Sequence, residues 1–143
     1  MKIVKDKYRT KHAPGTIPDP AITAALKEGL VNNAISCAEL AELAGRLQKP
    51  MAQLGTVLDL LEGRIVECQL GLFGYHPQKK IIRPAAQYDP AIEAAIRSRL
   101  ISECLPCDAA WEIAAVFALP RINVASICEQ RGIKIKPCQL GAF

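Results

Sequence analysis

The residues of this chain best suited to chemistry are six cysteines: Cys37, Cys68, Cys104, Cys107, Cys128 and Cys138. Two of them open the same string, Cys68-Gln69-Leu70-Gly71-Leu72-Phe73 and Cys138-Gln139-Leu140-Gly141-Ala142-Phe143. Cys104-Leu105-Pro106-Cys107 is a CxxC. With Cys128 and Cys138 it offers four thiols, the ligand type that zinc and iron–sulfur clusters take. The spacing is not that of a zinc ribbon, and no βαβ pattern surrounds the CxxC, so a thioredoxin-like role is not expected. The even count would suit disulfides, but no export signal is seen and reduced thiols fit better. The competing reading makes these thiols small apolar side chains in a core. That is the expected one, and no cofactor or metal is expected with it. No catalytic set is seen either. His12 and His76 fall in a tail and a Gly/Pro-bounded loop, and there is no phosphate-cradling loop or nucleophile elbow. An enzyme is not expected.

The repeated string marks a larger repeat. Asp19-Pro20-Ala21-Ile22 returns as Asp89-Pro90-Ala91-Ile92, and an offset of 70 holds without a gap to Phe143. Cys37 falls on Cys107, Pro50 on Pro120 and Leu58 on Cys128. Such a register argues for one fold written twice by internal duplication. Within a copy, Asp-Pro is a helix opener, and Ile22, Ala25, Leu26 and Leu30 lie on one helical face. Ser36-Cys37-Ala38-Glu39 has the capping-box form and opens a second helix, with Leu40, Leu43, Ala44 and Leu47 on its apolar face. Pro50 starts a third, with Leu54, Val57, Leu58 and Leu61, and Gly63 stops it. Residues 65–70 read as a strand, and Ile81-Ile82-Arg83 as its hairpin partner. The second copy stops before any equivalent of that partner, so its hairpin is short or incomplete. Trp111 stands where the first copy has Ala41 and suits inter-unit or core packing.

Helix, short link, helix, tight turn, helix, strand is an order that resembles the winged helix-turn-helix superfamily, twice. The resemblance rests on Leu40-Ala41, Ala44-Gly45 and Leu47, the turn, then Leu54 and Leu58. The expected architecture is mainly α with small β-hairpins. Its expected parts are a basic arm over 1–18, a first winged-helix unit over 19–84 and a second over 85–143. In that superfamily the third helix enters the major groove and the wing touches the flanking backbone. The resemblance therefore implies double-stranded DNA as the partner and transcription regulation as the role, with a homodimer a common form. It implicates Lys49, Gln53 and Thr56 in the first unit and Lys79, Lys80 and Arg83 at its wing. In the second unit it implicates Arg121, Asn123, Ser126, Gln130, Arg131 and Lys134. Arg to guanine and Asn to adenine are groove-reading pairs, so the second unit is the expected base reader. A protein-interaction or assembly module is the alternative, and a cysteine-based metal or redox sensor a third.

Charge supports the DNA reading only in part. The 143-residue chain has a net charge of +4. Residues 1–18 contribute +4 through Lys2, Lys5, Lys7, Arg9 and Lys11 against Asp6, and residues 75–88 contribute +3. Residues 19–74 carry −3 and residues 89–143 are neutral. The phosphate-binding charge thus lies in the arm and the connector. The first third-helix carries Asp59 and Glu62, which repel phosphate. No apolar run approaches a membrane span, and a cytoplasmic location is expected.

Overall fold

The computed structural model describes residues 7–143; Lys2 and Lys5 of the expected arm lie outside them. The chain divides into two compact units, the first ending at Val66 and the second running Glu67–Phe143. Both are mainly helical, with a short pair of parallel strands.

In the first unit the elements are α1 (Pro20–Gly29), β1 (Ala34–Ser36), α2 (Cys37–Leu47), α3 (Met51–Leu60) and β2 (Arg64–Val66). The Asp19 carboxylate caps α1 by accepting from the N–H groups of Ala21 and Ile22 at 2.9 and 3.1 Å. Pro20 follows at the first helical position, where its missing N–H costs nothing. Ser36 Oγ accepts from Glu39 N–H at 3.1 Å and starts α2. Gln48, left-handed at φ 52°, ends it, and Pro50 lets the chain turn into α3. Ile22, Leu26, Leu40, Leu54 and Leu58, all fully buried, form the core.

The second unit holds α4 (Pro90–Ser98), β3 (Cys104–Leu105), α5 (Cys107–Val116), α6 (Arg121–Arg131) and β4 (Lys134–Ile135). Asp89 caps α4 as Asp19 caps α1. Pro106 precedes α5 where Ser36 precedes α2, so α5 has no side-chain cap. Gly132, at φ 67°, closes α6. The core gathers Ile92, Ile96, Leu105, Ile113, Val124 and Ile127 with Cys68, Leu70 and Ile82 from the segment ahead of α4. Burial of those three explains why residues 67–84, expected in the first unit, group with the second. Each buried aliphatic side chain is worth about 1.5–3 kcal/mol.

The strands correct the expected hairpins. β1 pairs parallel with β2, Ala34 opposite Arg64, and β3 pairs parallel with β4, Cys104 opposite Lys134. Ile81-Ile82-Arg83 is not a strand. The cause is local. β2 stops at Val66 because Glu67 turns left-handed at φ 50°, and Gly71 and Gly74 also take positive φ. The chain then closes a loop: Cys68 N–H donates to Phe73 O at 3.1 Å and Gly71 N–H to Cys68 O at 2.9 Å. Ile81 and Ile82 give their N–H groups to Gly71 O instead of to a strand. The second string closes the same way, Cys138 N–H to Phe143 O at 2.7 Å and Gly141 N–H to Cys138 O at 3.0 Å. What remains of a wing is an isolated bridge between Tyr75 and Lys79.

Candidate functional site

The residues implicated in groove reading cluster on α3 and α6, so the surroundings of these two helices decide the matter. α3 buries Leu54, Gly55, Val57, Leu58, Asp59 and Leu60. Of its proposed readers, Gln53 is exposed and Thr56 turns its hydroxyl to Ala52 O at 3.0 Å. Lys49, just ahead of the helix, pairs with Asp19 at 3.3 Å.

The end of α3 is covered by the segment that precedes α1. Asp59, 6% exposed, receives Lys11 Nζ at 3.1 Å and His12 Nε2 at 2.8 Å on one oxygen. Glu62 accepts from the backbone N–H groups of Lys7, Tyr8 and Arg9 at 2.6, 2.8 and 2.5 Å. Desolvation works to raise the Glu62 carboxyl, and the N–H groups of Arg9, Lys7 and Tyr8 more than offset it, so it sits below its ordinary value. The two acids that looked like obstacles to phosphate are therefore the anchors of the basic segment. Its Lys11 pairs with Asp59 at the protein surface.

α6 is covered by residues 67–88. Ile122 packs on Gly71 so closely that a Cβ there would stand 2.7 Å from Ile122 Cδ1. Ser126 donates its hydroxyl to Ile122 O at 3.0 Å, and its carbonyl accepts from Ala85 N–H at 3.0 Å. Lys80 pairs with Glu129 at 3.1 Å. Arg131 Nε pairs with Glu93 at 2.7 Å and donates to the Tyr88 hydroxyl. That hydroxyl in turn donates to Glu93 at 2.6 Å. Bonds from Tyr88 and Arg97, then the charge of Arg131, hold the Glu93 carboxyl down at about 2. Tyr88 and Glu93 likewise push the Arg131 guanidinium up.

Arg121, the expected guanine reader, lies with its Cζ 3.6 Å over the Trp111 ring and donates to Gln69 Oε1 at 3.4 Å. Trp111 Nε1 is buried without a hydrogen-bond partner among the described residues, which leaves the guanidinium stack as the polar contact of that ring. Asn123, Gln130 and Lys134 are exposed, as are Lys79 and Arg83. Asn123, Arg83, Tyr88 and Leu119 line a pocket of about 500 Å³. The chain thus places Arg121, Ser126, Arg131 and Lys80 in internal contacts and leaves Asn123, Gln130, Lys134, Lys79 and Arg83 outward.

None of the six cysteines, all among the described residues, is in a disulfide. Cys128, 1% exposed in the α6 core, is pushed up to about 12 by burial, as its match with Leu58 implies. Cys104 is on β3, Cys107 at the first position of α5 and Cys138 after β4. Among the described residues no three His, Cys, Asp or Glu side chains are grouped to hold a metal ion. No single helix among the described residues is long and apolar enough to cross a membrane.

Sequence reasoning missed the two covers. The basic residues of 7–18 and 75–88 read as a tail and a connector; each of these segments lies on the third helix of its own unit.

Compared with known proteins, the chain matches no family model, no curated protein and no solved structure.

Proposed function

We propose that this chain is a protein-assembly module built from two duplicated helix-turn-helix units whose third helices serve the fold. Two features support the helix-turn-helix reading. α5 and α6 are bent by 116° across a four-residue link, within the range of that motif. The links α2–α3 and α5–α6 each place a left-handed residue, Gln48 and Ala118, at positions 70 apart. The observation that carries the assembly role is the covering of α3 and α6 by their own preceding segments. A helix so covered does not enter a major groove without first shedding a layer of its own unit.

The surface left for a partner is also repeated. Val31 and Ile101 are 70% and 66% exposed at the start of matching two-residue turns. In the second unit Ser102 and Glu103 take φ 50° and 66° to form that turn, a conformation that ordinarily calls for Asn or Gly. Holding non-glycine residues there costs energy and is most often seen where function requires it. Two equivalent apolar tips make one chain bivalent, which suits assembly with copies of itself.

Sedimentation of the full chain, alone and with a short DNA duplex at two salt concentrations, tests this. Expected are concentration-dependent oligomers that Val31→Lys with Ile101→Lys disperses, and no duplex carried along. Salt-steep co-sedimentation with the duplex overturns it. One observation favours that second reading: Asn123, Gln130 and Lys134 remain outward. Loss of DNA binding on Asn123→Ala and Lys134→Ala would then assign DNA to the open side of the second unit.

A further inference from the structure

The repeated Cys-Gln-Leu-Gly strings have no part in the assembly role, yet within the second unit the later one sets Cys138 beside Cys107 of α5. The loops touch through Phe73 and Phe143, whose rings meet edge to face at 5.8 Å. Cys107 N–H donates to Pro137 O at 3.1 Å. One hydrogen bond and the covalent bonds on either side of it thus separate Cys107 from Cys138, which puts their Cα atoms about 5–6 Å apart. Disulfides accept Cα separations of about 4.4–6.8 Å. Gln139 Nε2 donates to Cys107 Sγ at 3.4 Å and Leu140 N–H to Cys138 Sγ at 3.4 Å. Each thiol thus has an N–H donor suited to stabilising sulfur that carries negative charge. The two differ in access: Cys107 is 5% exposed, and Cys138 is half-buried and reachable.

We propose that Cys138 and Cys107 form a peroxide-responsive thiol pair, Cys138 the thiol oxidised first and Cys107 the resolving thiol. Cys138 sulfur attacks one oxygen of hydrogen peroxide; the O–O bond breaks, water leaves and Cys138 becomes a sulfenic acid. Cys107 sulfur then attacks Cys138 sulfur; the S–O bond breaks, the S–S bond forms, and the Cys107 proton leaves with the hydroxyl as a second water. Peroxide gains the two electrons that the thiols lose. Burial keeps the Cys107 thiol above its ordinary value, with the Gln139 bonds and the Cys138 and Cys68 charges acting after it. A resolving thiol tolerates this, because its target is held beside it. Cys68, 5% exposed in the other loop and likewise raised by burial, remains reduced.

The test uses the full chain, reduced, exposed to equimolar hydrogen peroxide, alkylated and digested without reductant. Expected is one linked peptide pair joining Cys107 to Cys138, lighter by two hydrogens and parted by dithiothreitol. Cys107→Ser should leave a sulfenic acid on Cys138 that dimedone traps. The mapping of the unsubstituted chain decides the matter even if that variant fails to fold. Six alkylated thiols, a Cys104–Cys107 link, or bound zinc that blocks the link would each overturn the proposal.

Discussion

The cover on α3 and the cover on α6 occupy matching places and are held by different physics. On α3 the contacts are polar: Asp59 with Lys11 and His12, and Glu62 with three backbone N–H groups. On α6 polar contacts sit at the margin, Lys80 with Glu129 and Arg131 with Glu93, around packed residues. Ile122 meets Gly71 with no room between them, and Leu70 and Ile82 are buried in the same core. The first cover is therefore a latch on a finished unit, and the second is part of its unit's core. One position shows the exchange. Asp59 is buried beneath Lys11 and His12, whereas Glu129, 70 positions on, is exposed with one lysine.

The two Cys-Gln-Leu-Gly loops give the sharpest way to break this comparison. Gly71→Ala drives a methyl to 2.7 Å from Ile122 Cδ1 in a left-handed conformation, φ 73°. Overpacking and backbone strain together should remove about 2–4 kcal/mol from the second unit. Gly141→Ala, at φ 79° with nothing within 4 Å, meets strain alone and should cost about 1–2 kcal/mol. Denaturant midpoints of the two variants measure the difference. Equal losses would show that the α6 cover is not core.

Arg121→Ala comes next. It removes a guanidinium from the Trp111 face and the stem that packs with it, worth about 1–2 kcal/mol. The first unit has Met51 and Ala41 at these positions, so Met51→Ala has no such stack to lose and should cost less. Thermal unfolding of both variants compares them. A loss of duplex affinity on Arg121→Ala without loss of stability would instead return Arg121 to the reading role.

The helices were legible because their signals are local. Asp19-Pro20, Asp89-Pro90 and Ser36 act on backbone groups within three residues, and apolar periodicity marks the faces. The strands were legible only as extended chain. Whether residues 65–66 pair with a later strand or with Ala34-Ile35 depends on a partner 30 residues away, and on Glu67 turning left-handed. The covers were the least legible. Lys11 and Asp59 are far apart in sequence, and a basic segment beside an acidic helix end reads as solvent-facing charge until the fold joins them. For Arg121 the residue type pointed to a base edge, while the aromatic ring it covers lies on another helix. Cys128 was legible, because the residue 70 positions before it is the apolar Leu58.

The latch on α3 is sharpened by removing its charge while keeping its shape. Glu62→Gln should weaken the acceptor for the Lys7, Tyr8 and Arg9 N–H groups and speed their hydrogen exchange on the order of tenfold. The α1–α3 core amides should be unchanged. Glu129→Gln loses one exposed ion pair, of the kind worth about 0–1 kcal/mol, and should leave residues 80–85 as protected as before. If both covers respond alike, the distinction between latch and core is wrong.

The smallest effect is electrostatic and has a defined pH window. Glu93 is held down to about 2 by Tyr88, Arg97 and Arg131, below an unfolded value of about 4.3. A carboxyl depressed by folding stabilises the folded state fully above the unfolded value. That contribution fades as pH falls from about 4.3 toward 2, where the folded form also protonates. Glu62, lowered by its N–H donors, acts in the same direction in the first unit. Urea midpoints for the parent chain and for Glu93→Gln should therefore differ at pH 6 and converge as pH falls toward 2. Glu93→Gln should blunt the acid sensitivity of the second unit and leave the acid release of residues 7–9 from Glu62 unaltered. Midpoints that already coincide at pH 6 would mean that the packing of the Tyr88 ring, not the carboxylate charge, secures Arg131 and with it the end of α6.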